Sequence, residues 1–151
     1  MSVDYIISSL PTLTFGAPAP LSWEKFVEVC GGEVSIPASW TDLETQLKNA
    51  LAEVRSGSSD YARPVVGCSL YWKNRLLEAY REKDVLLRDE RLDKVWWDAA
   101  GELTPPSAPL GKGALATYAV RLKIALKRGM ISTESGNAAF DRLTAETKIS
   151  F

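Results

Sequence analysis

"GCSLYWKNRLLEAYREKDVLLRDERLDKVWWDAAG", residues 67–101, contains no glycine or proline between its two ends. Such a stretch has no breaker of its own. Drawn as one helix from about Val66 to Leu103 it would reach about 57 Å, longer than a small domain is wide. The apolar positions argue against a straight rod. Val66, Leu70, Leu76, Leu77, Tyr80 and Leu87 cluster on one helical face, whereas Val85, Leu92, Val95, Trp96 and Ala99 centre on a face turned by roughly 100°. The sequence predicts a long central helix that breaks or bends between Arg81 and Arg91, or changes partners halfway along. A break is the simpler reading, because helices in compact domains are much shorter.

The flanking segments read as helices too. Asp4 to Leu10 fits one helical turn or a short strand, closed by Pro11. Gly16 to Pro20 is a loop, after which Ser22 is a fitting N-cap and Glu24 complements the first turn. Phe26, Val27 and Cys30 give that helix an apolar face, and Gly31-Gly32 stop it. Thr41-Asp42-Leu43-Glu44 has capping-box spacing, and Leu43, Leu47, Ala50, Leu51 and Val54 follow at helical intervals. Glu44 and Lys48 form a favourable i,i+4 pair, and Ser56-Gly57-Ser58-Ser59 closes the element. Residues 101–113, "GELTPPSAPLGKG", read as a Pro/Gly loop. Leu115, Tyr118, Ala119, Leu122, Ala125 and Leu126 then mark a helix expected to end at Gly129. Ser132 is the expected cap of a last one, with Ala139, Phe140 and Leu143 inward. No segment alternates as a half-buried strand does. The expected architecture is all-α: a single-domain helical bundle over residues 1–151, with residues 1–20 as an N-terminal anchor segment and loop.

Composition narrows the chemistry. At 151 residues with 46% apolar and 25% charged side chains, the chain has the balance of one folded domain. A formal charge of −1 offers no global attraction to phosphate backbones or anionic lipid. The absence of histidine removes Ser-His-Asp and Cys-His nucleophilic sites and every zinc site that uses imidazole. Cys30 and Cys68 form no CxxC and read as reduced cytosolic thiols. An acid, Asp4, precedes a short apolar run, which does not fit a signal peptide, and no stretch is apolar enough to span a bilayer. The expectation is a cytoplasmic protein with no direct membrane insertion.

Other patterns read as structure. Gly111-Lys112-Gly113 fails as a phosphate loop because Pro106 stands where the upstream glycine belongs and Gly113 replaces the Mg²⁺-binding hydroxyl. Carboxylate pairs such as Glu24 with Glu28, Asp89 with Glu90, and Glu90 with Asp93 are interleaved with lysine and arginine, as on a solvated helix face. That mixing of signs also argues against a metal cage. Arg121, Lys123, Lys127 and Arg128 give one helix a basic end, which the helix dipole largely accounts for, so nucleic acid is not expected. Of the five tryptophans, Trp96 and Trp97 point about 100° apart, and one core face can hardly take both. A partly exposed Trp97 beside Lys94 would suit a protein interface. Trp97, Arg121 and Arg128 are therefore the candidate partner-facing residues, and alanine there is expected to weaken assembly without costing stability.

The opening block also resembles a known family. Tyr5, Ser8-Ser9-Leu10-Pro11, Thr14-Phe15, Pro18, Pro20, Ser22, Phe26 and Cys30 are similar to the start of a bacterial domain-of-unknown-function family encoded in V/A-type ATPase operons. "YWKNRLLEAYREKDVLLRDER" is similar to that family's aromatic, Asn- and Arg-rich helix. Tyr118, Leu122, Ile124 and Arg128 are similar to its Tyr-x-x-x-Leu-x-Ile-x-x-x-Arg segment. A second aromatic expected before Ile6 is missing, and members are often longer. The resemblance implies a non-catalytic structural or accessory subunit of a bacterial V/A-type ATP synthase, a proton- or sodium-translocating rotary ATPase. It would act through interfaces with other ATPase subunits, without cofactor or metal, and lie peripheral to the inner membrane through that complex. In layout it also resembles one unit of the helical central-stalk C/d subunit. The alternative is a stand-alone helical module that binds a small ligand or nucleic acid.

Overall fold

The computed structural model describes residues 2–58, 60, 62–64 and 69–149, with side chains described as far as Met130. In chain order the helices are α1 (Val3–Ser9), α2 (Trp23–Cys30), α3 (Ala38–Ser56), α4 (Leu70–Tyr80), α5 (Val85–Ala100) and α6 (Lys112–Ile149), with a 3₁₀ turn at Gly101–Leu103 between the last two. No strand occurs among the described residues, so the chain is an all-α protein.

The breaker-free stretch is broken, and the break is encoded locally. Asp84 takes extended backbone angles (φ −71°, ψ 120°) and its carboxylate accepts a hydrogen bond from the Leu87 N–H at 3.0 Å. An N-cap of this kind satisfies one of the orphan donors of a new helix, so α5 can start without glycine or proline. Glu82 reinforces the turn by accepting from the Asp84 N–H and pairing with Arg91 at 2.7 Å. Val66, Gly67 and Cys68 lie outside the described residues.

Two clusters share the interior. In the first, Trp40, Leu43, Leu47 and Ala50 of α3 meet Trp72, Leu76 and Ala79 of α4 and Leu92, Val95 and Ala99 of α5. In the second, Ile6 of α1 and Phe26 and Cys30 of α2 close over Leu115, Ala119 and Leu122 of α6. Full burial of side chains such as Leu76 or Leu122 contributes about 2 kcal/mol each. Helix α5 packs against α4 and against α6. That position answers the Trp96–Trp97 problem: Trp96 packs against the first cluster, while Trp97 is buried beneath α6 and Phe15. Two rings pointing apart both find packing, Trp97 buried and Trp96 half-buried, because the helix has two partners.

Several boundaries differ from the sequence reading. Helix α3 begins at Ala38 with Pro37 as its N-cap residue, so Thr41 lies within the helix and Thr45 Oγ1 donates to its carbonyl. Proline is compatible with this position because an N-cap residue sits in extended backbone geometry. The Glu44–Lys48 pair forms at 2.7 Å, and Gly57 takes the left-handed C-cap (φ 71°). Gly129 and Ser132 do not divide the last segment: α6 runs unbroken for 38 residues, about 57 Å. A lone glycine inside a helix costs only about 1 kcal/mol, too little to stop it without a cap. The inward placement expected of Ala139, Phe140 and Leu143 lies outside the described side chains.

The N-terminal segment packs as an anchor. Ile6 is fully buried, and Ile7, Leu10 and Leu13 pack around it. Tyr5 differs, standing 61% exposed on the outer face of α1. Ser22 caps α2 by accepting from the Lys25 N–H at 3.1 Å, which sets the angle at which the chain re-enters the bundle.

Candidate functional site

Trp97, Arg121 and Arg128 lie on two adjacent helices, and the structure brings them together around Phe15. Trp97 is only 6% exposed, so it does not present its ring to a partner; the partial exposure expected of it is corrected here. Arg121 Nε donates to the Trp97 carbonyl at 3.0 Å, and its guanidinium stands 5.3 Å over the Trp97 ring. Arg128 pairs with Asp93 at 2.9 Å and lies 4.9 Å over the Phe15 ring. Phe15 meets Trp97 edge-on at 5.4 Å, with Lys94 5.3 Å from its centroid. A ring flanked by two cations and an aromatic edge is held by quadrupole attraction as well as area, so Phe15 pins the N-terminal strap across α5 and α6.

The charges around this cluster are paired within the chain. Asp98 accepts from Arg75 at 2.9 Å and pairs with Lys94 at 3.0 Å. Burial alone would raise the Asp98 carboxyl, but the hydrogen bonds and charges of Lys94 and Arg75 prevail and hold it below its usual value. Burial pushes the Arg121 guanidinium down, opposed by the charge of Asp98.

Further along the same side, Tyr118 joins the second cluster to the strap. Its ring stacks on Phe26 at 5.5 Å, and its hydroxyl donates to the Pro11 carbonyl at 2.6 Å. Burial, with a smaller contribution from Cys30, pushes the Tyr118 phenol up to about 12. Burial also raises the Cys30 thiol, the opposite of what a nucleophilic cysteine needs. Cys68 lies outside the described residues.

The remaining sequence candidates take structural places. Lys112 is the exposed first residue of α6, and the 111–113 segment brings the start of α6 against the 3₁₀ turn, where a Cβ on Gly113 would collide with the Leu103 carbonyl. Glu28 pairs with Lys25 and Asp93 with Arg128. Lys123 stands 4.6 Å over the Trp23 ring. Among the described residues no group of acids and cysteines could hold a metal ion, and no helix is long and apolar enough to cross a membrane. A shallow depression of about 390 Å³ between α3 and α4 is lined by Ala50, Glu53, Val54, Gly57, Lys73 and Leu77.

Sequence reasoning placed Phe15 in the anchor segment without its partners, and missed Asp98 as part of the cluster and Asp84 as a cap. Asp84 carried a signal, a cap-type residue three positions before Leu87 at the start of an apolar run. Asp98 carried one, Lys94 four residues before it on the same helix, whereas its partner Arg75 and the partners of Phe15 come from elsewhere in the chain. No family model, curated protein or solved structure matches this chain.

Proposed function

We propose that this chain is a non-catalytic accessory subunit of a bacterial V/A-type rotary ATPase that works through protein–protein interfaces. One observation carries the reading. The residues of the opening block that resemble the ATPase-operon family meet those of the α6 block in space: Pro11 bonds Tyr118, Phe26 stacks on Tyr118, Cys30 and Leu122 share one cluster, and Phe15 lies beneath Arg128. Segments far apart in sequence thus build one packing unit. A likeness made of fold-building residues supports a protein that acts by shape. On this reading the chain is cytoplasmic and peripheral to the inner membrane through the complex, and Trp97, Arg121 and Arg128 serve assembly indirectly by fixing the strap. Affinity purification of the tagged chain from its own cells should bring down the A, B or D subunits of the ATPase. Intact ATPase purified without this chain would count decisively against the proposal.

The second reading, a stand-alone module for a small ligand, would use the α3–α4 depression, where Glu53 and Lys73 supply opposite charges. Titration of metabolite pools against intrinsic tryptophan fluorescence separates the two, since Trp72 lies in the helix that carries Lys73.

A further inference from the structure

We infer that residues 2–34 form a clasp that opens as one unit about Gly31-Gly32 and uncovers an apolar face of α6. The division of the interior marks the boundary. Among the described residues, the cluster around Ile6, Phe26 and Cys30 is built from residues 3–34 and 115–126 alone. The cluster around Trp40, Leu76 and Val95 takes no member from residues 2–34. Helix α6 belongs to both, through Leu115, Ala119 and Leu122 on one face and Val120 and Ile124 on another.

Polar ties follow the same boundary. The Tyr118 hydroxyl donates to the Pro11 carbonyl across it, whereas the other hydrogen bonds and the ion pair described for residues 2–34 close within that segment. The remaining links are rings and cations: Phe26 on Tyr118, Lys123 over Trp23, and Phe15 among Trp97, Lys94 and Arg128. The body is bound more densely. Arg75 pairs with Asp98, Trp72 Nε1 donates to Glu102, and Thr117 donates to the Ala100 carbonyl. Arg121 bonds the Trp97 carbonyl and Arg128 pairs with Asp93, so α6 stays seated on α5 when the clasp leaves. A segment with few ties to the rest opens before the rest unfolds.

The hinge has the freedom this needs. Residues 31–37 lie in no helix, and Gly31 takes φ 60° and ψ −125°, a combination open to glycine without strain. Opening uncovers Leu115, Ala119, Leu122 and Leu126, which recur at helical spacing, and brings Cys30, 1% exposed when closed, to solvent. In the closed form the chain therefore occupies its own helix-docking face with α1 and α2.

Cys30 reports the opening. The full chain is treated with excess iodoacetamide under native conditions and in low urea, peptide mass spectrometry separates Cys30 from Cys68, and hydrogen exchange follows the helices. Cys30 and the α1 and α2 amides should share one opening equilibrium, less dependent on urea than the unfolding of α3 to α5, because less surface is exposed. Tyr118→Phe should speed Cys30 labelling about fivefold, and Phe15→Ala about fivefold or more. Leu76→Val, in the other cluster, should lower the global urea midpoint and leave native Cys30 labelling within about twofold of wild type. Chain fully alkylated at Cys30 should keep exchange protection in α3 to α5 and lose it in α1 and α2. Cys30 labelling with the urea dependence of global unfolding would overturn the inference. So would labelling that follows the Leu76→Val midpoint, or loss of α3 to α5 protection on alkylation. The result is independent of the ATPase proposal, which co-purification tests separately.

Discussion

Arg121 is tied to Trp97 twice, once by a 3.0 Å hydrogen bond from Nε to the Trp97 carbonyl and once by its guanidinium over the indole. The two contacts hold α6 against α5 at the point where Phe15 crosses. Both residues therefore belong to the fold. Trp97→Ala should lower the unfolding free energy by about 3–5 kcal/mol and Arg121→Ala by about 1–2 kcal/mol in urea titrations. Unchanged midpoints for both would return them to the surface.

Phe15 is the latch of the N-terminal strap. Phe15→Ala should reduce hydrogen-exchange protection in α1 while leaving α3 and α4 as they are, because local opening follows the contacts that are lost. A double-mutant cycle with Arg128→Ala should give a coupling of about 0.5–1 kcal/mol, the size of a partly exposed cation–π contact. Full additivity would show that Arg128 serves Asp93 alone.

Asp98 gives the fold an acid-side pH dependence. Its folded carboxyl lies below the ordinary value of 3.8, so its contribution is complete above that value and is lost as pH falls through the lower folded value. Asp98→Asn should cost about 1 kcal/mol at pH 7, and the gap should close as acid protonates the wild-type side chain. A gap that persists in strong acid would mean that packing, not charge, is responsible.

Tyr118 makes the complementary prediction at high pH. With its phenol pushed up to about 12, it should stay un-ionised at pH 11 in ultraviolet titration. The unfolded phenol ionises near 10, so this contribution to stability is whole below that pH and declines as pH rises through the folded value. Tyr118→Phe should abolish the late-titrating group and cost about 1 kcal/mol through the lost bond to Pro11.

Two glycines of α6 should respond in opposite directions. Gly113→Ala forces a methyl group into the Leu103 backbone and should destabilise by several kcal/mol, about 2–4. At Gly129 an added Cβ meets nothing within 4 Å, so Gly129→Ala should be neutral or stabilise by up to about 1 kcal/mol. Thermal melts of the two variants check both, and reversed signs would refute the close approach at Gly113.

By itself the sequence determined the all-α class and the ends of α2. It also determined the Glu44–Lys48 pair and the shift of apolar face within the 67–101 stretch, while the structure decided that the helix breaks there. These are local matters: caps, i,i+4 neighbours and apolar periodicity act within a few residues of one another. Tertiary structure decided what local rules cannot reach. Trp97 is inside because α5 has a partner on each of two sides, and Arg121 and Arg128 are engaged because Phe15, Asp93 and the Trp97 carbonyl arrive from other elements. Helix α6 runs through Gly129 because one glycine without a cap costs less than stopping a helix already under way. Pairings between residues distant in sequence depend on the whole packing of the chain, and no short window of residues contains them.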